Sequence, residues 1–504
     1  MENPYIFNSS PKTYQEDQDK CMSPEETYKK IWGILHKVFP DTTFNLTELE
    51  SNDYYSVYDF SDGKLSSHGK GAAKYQAMTS AIMEYLERKS WLDFNISKTK
   101  GFIKASYNKL SNIVQIPEYK NIFNVHYFDN KEETAELIKD IPLFWTEAYN
   151  LTKKTETLYP VNFIDFLHTS NGLATGNTKE EAITQGLCEL IEREHIDNFL
   201  LAPYTMKTKL IDNSTIKNPY LLKLLEWGKI NNIKISLLDI SNSIPLCTIV
   251  ANCIDDNPPI SFTRKIQGYG AHTDPEKAMI RAITESLQAR EGYIKIAPKD
   301  FDLAVGHWQT RLSIDFNRVM NNAELVPVKD CYNIANSDFK KEAEKIISIL
   351  KKKGHEVIAL NITHPDLKIP VYRLLIPTFK PGDEFSAFAR NQHFIITSLF
   401  KNAGLDKKAK EYYSAHKDEL SKLSKEEDCL ISELSRVIKD IDFDEIQNNF
   451  NDFVADDLIY KLMIPRDHMN SLRFANYAKN DMIAALNCLG VVNVDETSSE
   501  QKTT

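Results

Sequence analysis

The chain contains an internal repeat, and this repeat constrains its fold more than any other feature of the sequence. Three segments, at 67–88, 170–193 and 268–290, each place a glycine-containing stretch before a helix-forming stretch. Each helix carries a glutamate followed three residues later by a glutamate or a glutamine. The second helix begins with its own capping box, Thr178 to Glu181, and the third with Asp274 before Pro275. We therefore expect three glycine-containing loops, each leading into a helix.

Helix-like and strand-like stretches alternate along the chain up to about residue 390. A capping box at Ser23, Pro24 and Glu26 predicts a helix that ends near Val38. Branched residues between turn formers predict strands at 54–60, 233–240, 246–253, 356–362 and 371–377. After residue 392 the strand pattern stops, and residues 401–441 predict an amphipathic helix. This interleaving is typical of α/β and α+β cores, and we expect an α+β fold.

The composition argues against several classes of protein. With 61 basic and 71 acidic residues, the formal net charge of −10 provides no positive excess for nucleic acid or anionic lipid. No apolar run reaches the roughly 20 residues that span a bilayer, and no signal sequence is recognisable, so we expect a cytoplasmic protein without membrane contact. The seven cysteines are never spaced as CxxC, which predicts reduced, structural thiols rather than disulfides or a zinc site.

Two of the repeated helices group acidic residues on one face. Residues three or four apart on a helix are neighbours, so two glutamates and an arginine project together on each helix. These residues are Glu84, Glu87 and Arg88 in the first helix and Glu189, Glu192 and Arg193 in the second. One interpretation is a solvated surface with local Glu–Arg ion pairs. The alternative, which the recurrence and the apolar opposite faces favour, is four converging carboxylates that cations must neutralise.

The chemistry of these side chains favours Mg²⁺ and a nucleotide. Carboxylate oxygens suit hard cations such as Mg²⁺, and paired Mg²⁺ ions normally accompany phosphate groups. A di-iron site would need a histidine three residues after a glutamate, and neither helix has one. The sequence also lacks Walker A, protein-kinase and dinucleotide-binding motifs. Gly69, Lys70 and Gly71, ahead of the first helix, could offer backbone N–H groups and one cation to a phosphate.

The three repeats resemble the motifs of the YcaO family. SSHGKGAAKYQAMTSAIMEYLER is similar to the family's GKG…SxxxExxER motif, and SNGLATGNTKEEAITQGLCELIER to its SNGxAxGNxxxEAxxxGxxExxER motif. RAITESLQAR resembles the closing ExxQxR element, and VIALNITHPDLKIPVYRLLIP follows the strand pattern that ends the catalytic domain. The resemblance covers about residues 20–390 and implies a YcaO-type ATP-binding core.

The resemblance implies an ATP- and Mg²⁺-dependent enzyme that activates a peptide backbone amide. The amide oxygen is phosphorylated after a nucleophile adds, which gives an azoline with a side-chain nucleophile and a thioamide with a sulfide donor. The implied metal ligands are Glu84, Glu87, Glu189 and Glu192. The implied nucleotide-binding residues are Lys20, Thr27, Lys70, Ser80, Glu84, Asn177, Glu181, Arg193, Arg281, Glu285 and Gln288. The implied catalytic residues are Lys70, Arg193 and Arg290.

Four parts of the chain are expected. Residues 1–60 form the N-terminal part of the core, 61–390 the catalytic domain, 391–497 a helical domain with tetratricopeptide-like repeats, and 498–504 a disordered tail. Azoline-forming relatives commonly end in a Pro-rich tail and use a peptide-recognition domain, and neither pattern occurs in this sequence. We therefore expect a peptide or protein substrate and a separate partner that delivers the substrate or the sulfur. The resemblance also implies a homodimer.

Three functions stay open at this point. The first is an active amide-activating enzyme, supported by the full set of glutamates. The second is an accessory factor for thiolation or methylthiolation of a small-subunit ribosomal protein, with the helical extension as its docking surface. The third is a nucleotide-binding scaffold without chemistry, which would bind ATP without releasing ADP.

Overall fold

Helices and strands are interleaved throughout the described part of the chain, which confirms the predicted α+β class. The computed structural model describes residues 3–16, 18–96, 101–122, 131–161, 164, 170–259, 261–296, 316–379, 396, 399–400 and 403–416. The helices are α1 (Pro24–Val38), α2 (Lys74–Ile96), α3 (Tyr107–Ser111), α4 (Tyr119–Ile122), α5 (Lys131–Lys139), α6 (Lys179–Leu201), α7 (Pro219–Ile230), α8 (Pro275–Ile296), α9 (Phe316–Asn322), α10 (Phe339–Lys352) and α11 (Asp406–Ala415). The strands are β1 (Asn45–Ser51), β2 (Ser56–Ser61), β3 (Ser66–Gly71), β4 (Ile103–Ala105), β5 (Leu143–Asn150), β6 (Thr155–Pro160), β7 (Leu173–Thr175), β8 (Lys209–Ile211), β9 (Ile233–Asp239), β10 (Cys247–Asp255), β11 (Lys265–His272), β12 (Glu324–Val326), β13 (Ile358–Asn361) and β14 (Val371–Leu375).

The elements predicted before residue 380 are present. Helix α1 starts at the predicted capping box, where the Ser23 hydroxyl accepts from the N–H of Glu26 at 3.3 Å. In return, the Glu26 carboxylate accepts from the N–H of Ser23 at 3.2 Å. Strands β2, β9, β10, β13 and β14 occupy the five stretches predicted to be extended, with small shifts at their ends.

The described strands form three sheets. The first has the order β1-β2-β3, and the second has the order β11-β10-β9-β8-β12. The third has the order β4-β5-β13-β14-β7, with β6 paired to β5. Helices α2 and α6 both pack against β7 and β14, so two of the repeated helices lie against the same part of one sheet. Their apolar faces are buried, as predicted, through Ala77, Ala81, Ile82, Tyr85, Ile183, Leu187, Leu190 and Ile191.

The glycines of the first and third repeats lie in strands, so the prediction of loops at these positions is wrong. Gly69 belongs to β3 and Gly268 to β11. A Cβ atom at Gly69 would lie 2.0 Å from the carbonyl oxygen of Ala77, and one at Gly268 would lie 2.2 Å from that of Ala282. These glycines therefore let each strand contact the backbone of the helix that follows it. A Cβ atom at either position would prevent this contact.

The chain divides into two compact units, one made of residues 1–295 and 309–382 and the other of residues 296–308 and 383–504. Within the predicted helix 401–441, α11 covers Asp406–Ala415. The remainder of that helix, most of the helical domain predicted at 391–497, and the tail at 498–504 lie outside the described residues. The predicted domain boundaries therefore stay predictions. Among the described helices, none has the length and apolar character needed to cross a membrane.

Candidate active site

The two glutamates of α2 face neighbouring strands. Glu84 accepts a hydrogen bond from the N–H of His68 in β3 at 3.1 Å and pairs with Arg88 one turn later at 2.5 Å. Glu87 accepts from the N–H of Thr175 in β7 at 2.8 Å. The local Glu–Arg pair expected for a solvated face does form in this helix. The hydrogen bonds to β3 and β7 nevertheless orient both carboxylates toward the interior.

The glutamates of α6 lie beside those of α2 and α8. Glu192 is 8% exposed and accepts from the N–H of Ala271 in β11 at 2.5 Å. Burial raises the pKa of Glu87 well above its usual value, and the charges of Glu189 and Glu84 raise it further. Burial also raises the pKa of Glu192, with an additional contribution from Glu285. Mutual repulsion of this kind is the electrostatic property expected of a site that binds cations.

Glu285 adds a fifth carboxylate to the cluster. It occupies in α8 the position that Glu84 holds in α2 and Glu189 holds in α6, so the repeat itself contained the signal. The resemblance implied that Glu285 binds the nucleotide and did not include it among the metal ligands. We call Glu84, Glu87, Glu189, Glu192 and Glu285 the carboxylate cluster.

Three basic side chains lie next to the carboxylate cluster. The amine of Lys70 contacts Glu285 at 2.7 Å, although Lys70 projects from an edge strand and not from a loop. The charges of Arg193, Arg281 and Lys70 each lower the pKa of Glu192 against the effect of its burial. The structure thus brings the predicted residues Lys70, Arg193 and Arg281 together with the glutamates.

A cleft lies on the side of the cluster where Arg281 is found. Three of the predicted nucleotide-binding residues, Lys20, Glu181 and Arg281, line it. Arg281 donates to the carbonyl oxygen of Ala271 at 2.9 Å, and Ala271 also donates its N–H to the cluster residue Glu192. Ala271 of β11 therefore links Arg281, which lines the cleft, to Glu192 of the carboxylate cluster.

Glu181 contributes to the cleft rather than to a complete capping box. The Thr178 hydroxyl accepts from the N–H of Glu181 at 3.2 Å, as predicted. The Glu181 carboxylate instead contacts the amine of Lys20 at 3.3 Å and accepts from the N–H of Cys21 at 3.1 Å. This places the N-terminal segment against α6.

Residues 12–16 and 18–21, which we call the N-terminal segment, are held by buried ion pairs that no sequence pattern had indicated. Lys12 contacts both Asp19 and Glu342 at 2.6 Å, and Lys277 pairs with Asp19. Burial alone would raise the pKa of Asp19, but His272 and these lysines outweigh it and lower the pKa to about 2. No local pattern indicated this network, because Lys12 and Glu342 are far apart in the sequence.

The remaining predicted residues occupy different places. Asn177 donates to the Thr27 hydroxyl at 3.0 Å, and its own Oδ1 is buried without a hydrogen-bond partner among the described residues. Ser80 lies one turn before Glu84, and Gln288 one turn after Glu285; both are half-buried. These positions are compatible with the assigned binding roles.

The structure does not bring Arg290 to the carboxylate cluster. Its guanidinium contacts Glu291 at 2.9 Å and Asp255 at 3.3 Å, and lies over the ring of Trp227. Glu291 in turn accepts from the Tyr55 hydroxyl at 2.8 Å. This arrangement is a separate polar network, so the structure gives the predicted catalytic role of Arg290 no support.

The donor atoms of the site fit Mg²⁺ and a nucleotide. The cluster offers only carboxylate oxygens, and adjacent lysine and arginine side chains can contact phosphate oxygens. Among the described residues, no three of these carboxylates bring oxygens within 4.8 Å of one another. Mg²⁺ is usually held by one or two carboxylates together with substrate phosphates.

The family model described as "YcaO cyclodehydratase, ATP- and Mg²⁺-binding" matches residues 68–380. The chain belongs to the YcaO family. The predicted family and its cofactors, ATP and Mg²⁺, are thereby confirmed. At the level of reaction class, the role is that of an ATP-dependent enzyme of the cyclodehydratase type. The roles of individual residues stay predictions.

Relatives within the YcaO family differ in how far they match. An uncharacterised protein of Methanothermobacter thermautotrophicus is 27% identical over 386 residues, which cover 71% of this chain and 94% of that protein. The Escherichia coli "Ribosomal protein S12 methylthiotransferase accessory factor YcaO" is 25% identical over 341 residues, or 62% of this chain. That match spans only 56% of the E. coli protein.

Two solved structures share the fold. A "Heterocyclase in complex with substrate and Cofactor" has a TM-score of 0.59 at 21% identity, covering 75% of this chain and 55% of that one. The YcaO protein of Methanopyrus kandleri, bound with AMPPCP and Mg²⁺, has a TM-score of 0.52 at 18% identity, covering 73% and 94%. At these identities the likeness shows the fold alone.

Proposed function

We propose that this YcaO protein uses Mg²⁺ and ATP to activate a backbone amide of a peptide or protein substrate. The observation that carries the proposal is the convergence of five glutamates from three repeated helices beside Lys70, Arg193 and Arg281. Phosphoryl transfer needs little covalent help from a protein, so a site built from positioned charges suits this reaction.

The bound Mg²⁺ and ATP would supply an electrophilic phosphoryl group for the amide oxygen. The carboxylate cluster would hold the metal ions, with Glu84, Glu87, Glu189 and Glu192 as the predicted ligands and Glu285 beside them. Lys70 and Arg193 would stabilise negative charge on the phosphate oxygens during transfer. Arg281, Lys20 and Glu181 would bind the nucleotide in the cleft.

The reaction would consume one ATP for each amide oxygen removed. A nucleophile bonds to the amide carbon, the oxygen takes the phosphoryl group, and the C–O bond then breaks to release phosphate. A Cys, Ser or Thr side chain as nucleophile yields an azoline, and sulfide yields a thioamide. We propose that a separate partner delivers the peptide or the sulfur, and that the protein acts as a cytoplasmic homodimer.

A second candidate function rests on the printed role of the E. coli relative as an accessory factor for a methylthiotransferase. In that case the protein would assist modification of a ribosomal protein by contact. It would turn over little ATP without its partner. A scaffold that binds the nucleotide without chemistry would release no ADP even with substrate present.

Calorimetric titration of Mg²⁺–ATP into the wild type and into Glu192→Gln tests the proposal, followed by an ADP-release assay with candidate peptides. We expect binding by the wild type and at least about a tenfold weaker affinity, or ~1.4 kcal/mol, in the variant. The control is Glu324→Gln, because Glu324 is exposed on the edge strand β12. Equal affinities of the wild type and Glu192→Gln would contradict the metal assignment.

A further inference from the structure

Three buried side chains lie close together, two from strands of the second sheet and one from a connection outside it. Asp239 ends β9, Cys247 begins β10, and Cys331 follows a short 3-10 turn at Val328–Asp330. One carboxylate oxygen and the two Sγ atoms all lie within 4.8 Å of one another. Among the described residues, this is the group of three whose ligand atoms are spaced for one metal ion.

The burial of the group is nearly complete. Asp239 is 3% exposed, Cys247 is 0% exposed and Cys331 is 7% exposed. One Asp239 oxygen accepts from the N–H of Ser241 at 2.9 Å, whereas Oδ2 is buried with no hydrogen-bond partner among the described residues. A buried carboxylate oxygen is costly when nothing binds it, so this atom is suited to bind a cation.

We propose that Asp239, Cys247 and Cys331 form a second metal site that binds Zn²⁺. Two sulfurs and one carboxylate oxygen suit a borderline-soft ion such as Zn²⁺ and disfavour Mg²⁺. Zn–S bonds of about 2.3 Å and Zn–O bonds of about 2.1 Å in a tetrahedron place ligand atoms about 3.5–3.8 Å apart, within the observed limit. The two thiols lose their protons to solvent when the ion binds.

The place of this site in the fold suggests a structural use. Cys247 is the cross-strand partner of His272, which lines the cleft next to the carboxylate cluster. Cys331 belongs to a connection outside the sheet, and three residues later the N–H of Ile334 donates to the carbonyl oxygen of Thr273 at 2.9 Å. An ion bound by Cys331, Cys247 and Asp239 would therefore link this connection to strands β9 and β10.

The test uses the full-length protein, reduced and stripped of metal, titrated with Zn²⁺ in competition with a chromogenic chelator. Co²⁺ titration adds a second readout, because thiolate ligands give Co²⁺ a charge-transfer absorption. We expect the wild type to bind one Zn²⁺ that excess Mg²⁺ does not displace, and to give the thiolate–Co²⁺ band. Asp239→Asn and Cys331→Ser should each weaken Zn²⁺ at least roughly tenfold.

Two control variants make the result specific. Cys253→Ser changes another buried cysteine, which contacts Ser286 at 3.1 Å, and should bind Zn²⁺ like the wild type. Glu192→Gln should also retain Zn²⁺, because it alters only the carboxylate cluster. Cooperative thermal unfolding of Cys331→Ser would show that this variant is folded. If it is not folded, the Zn²⁺ titration of the wild type still tests the proposal.

Two outcomes would overturn the proposal. They are a wild type that binds no Zn²⁺ and a Cys331→Ser variant that binds it unchanged.

Discussion

Glu87 lies among like charges, so replacing it with the neutral residue glutamine should make the metal-free protein more stable. Its pKa is raised above the ordinary value of 4.5, first by burial and then by Glu189 and Glu84. A carboxyl group whose pKa is higher in the folded state stabilises the fold below its unfolded pKa, and this contribution is lost as the pH rises toward the folded pKa. We expect Glu87→Gln to raise the free energy of unfolding at neutral pH by more than the ~0.5 kcal/mol typical of surface changes.

Urea denaturation at several pH values above 4.5, without Mg²⁺, checks this expectation, since the pH dependence should be weaker in Glu87→Gln. Gln keeps the oxygen that accepts from Thr175, so the packing should survive. The same variant should bind Mg²⁺–ATP at least about ten times more weakly. If Glu87→Gln were less stable than the wild type, basic side chains of the protein would already neutralise Glu87. The control Glu324→Gln should change neither the stability nor the affinity for Mg²⁺–ATP.

At the level of elements, the contact between β3 and α2 depends on Gly69. An added Cβ would overlap the backbone of α2, so the strand and helix would have to separate. We expect Gly69→Ala to destabilise the protein by about 1–3 kcal/mol and to weaken nucleotide binding, because the neighbouring residue Lys70 moves with the strand. Thermal unfolding and calorimetry measure the two effects.

The matched control is Gly33→Ala in α1. A Cβ at Gly33 would meet nothing within 4 Å, and alanine favours a helix over glycine by about 0.5–1 kcal/mol. This variant should be slightly more stable than the wild type. If both glycine variants behaved alike, the close approach of β3 to α2 would not be what makes Gly69 necessary.

The N-terminal segment is held beside the cleft by Asp19, which pairs with Lys12 and Lys277. Removing one partner of a buried ion pair leaves an uncompensated charge, so Asp19→Asn should lower stability by about 3–5 kcal/mol. It should also weaken nucleotide binding, because Lys20 is the next residue. Glu16→Gln, an exposed change in the same segment, should have little effect.

The pH dependence of this ion network is opposite to that of Glu87. Asp19 has a pKa lowered to about 2, so the stability it contributes is present above its usual value of 3.8 and is lost as the pH falls toward 2. In acid denaturation, the free energies of unfolding of the wild type and Asp19→Asn should therefore become equal below this pH range. Parallel acid transitions would show that Asp19 is not the group responsible.

For the whole molecule, Mg²⁺ and ATP together should stabilise the fold, since both are needed to neutralise the carboxylate cluster and complete its ligands. A ligand at 100 times its dissociation constant adds about 2.7 kcal/mol of stability. We expect the midpoint of thermal unfolding to rise with both present and to change little with ATP and a chelator. Glu192→Gln should lose the increase, and an unchanged increase in that variant would place the nucleotide elsewhere.

The family, the α+β class and the glutamates of the site were predictable because their signals are local. Glutamates three residues apart on a helix share a face in any fold, and recurrence distinguished Glu84 and Glu189 from ordinary surface residues. The contact of the motif residue Arg290 with Asp255 was not predictable in this way, because it joins a helix to a strand that only folding brings together.

The sequence by itself determined which helices carry the carboxylates, since helical periodicity and capping act over a few residues. Only the tertiary structure decided that Gly69 lies in a strand, because a backbone contact with α2 leaves no periodic pattern. It also decided that Lys12 meets Glu342 and that Cys247, Cys331 and Asp239 converge. Cysteine spacing predicted no zinc site, because ligands drawn from separate elements have no characteristic spacing along the chain.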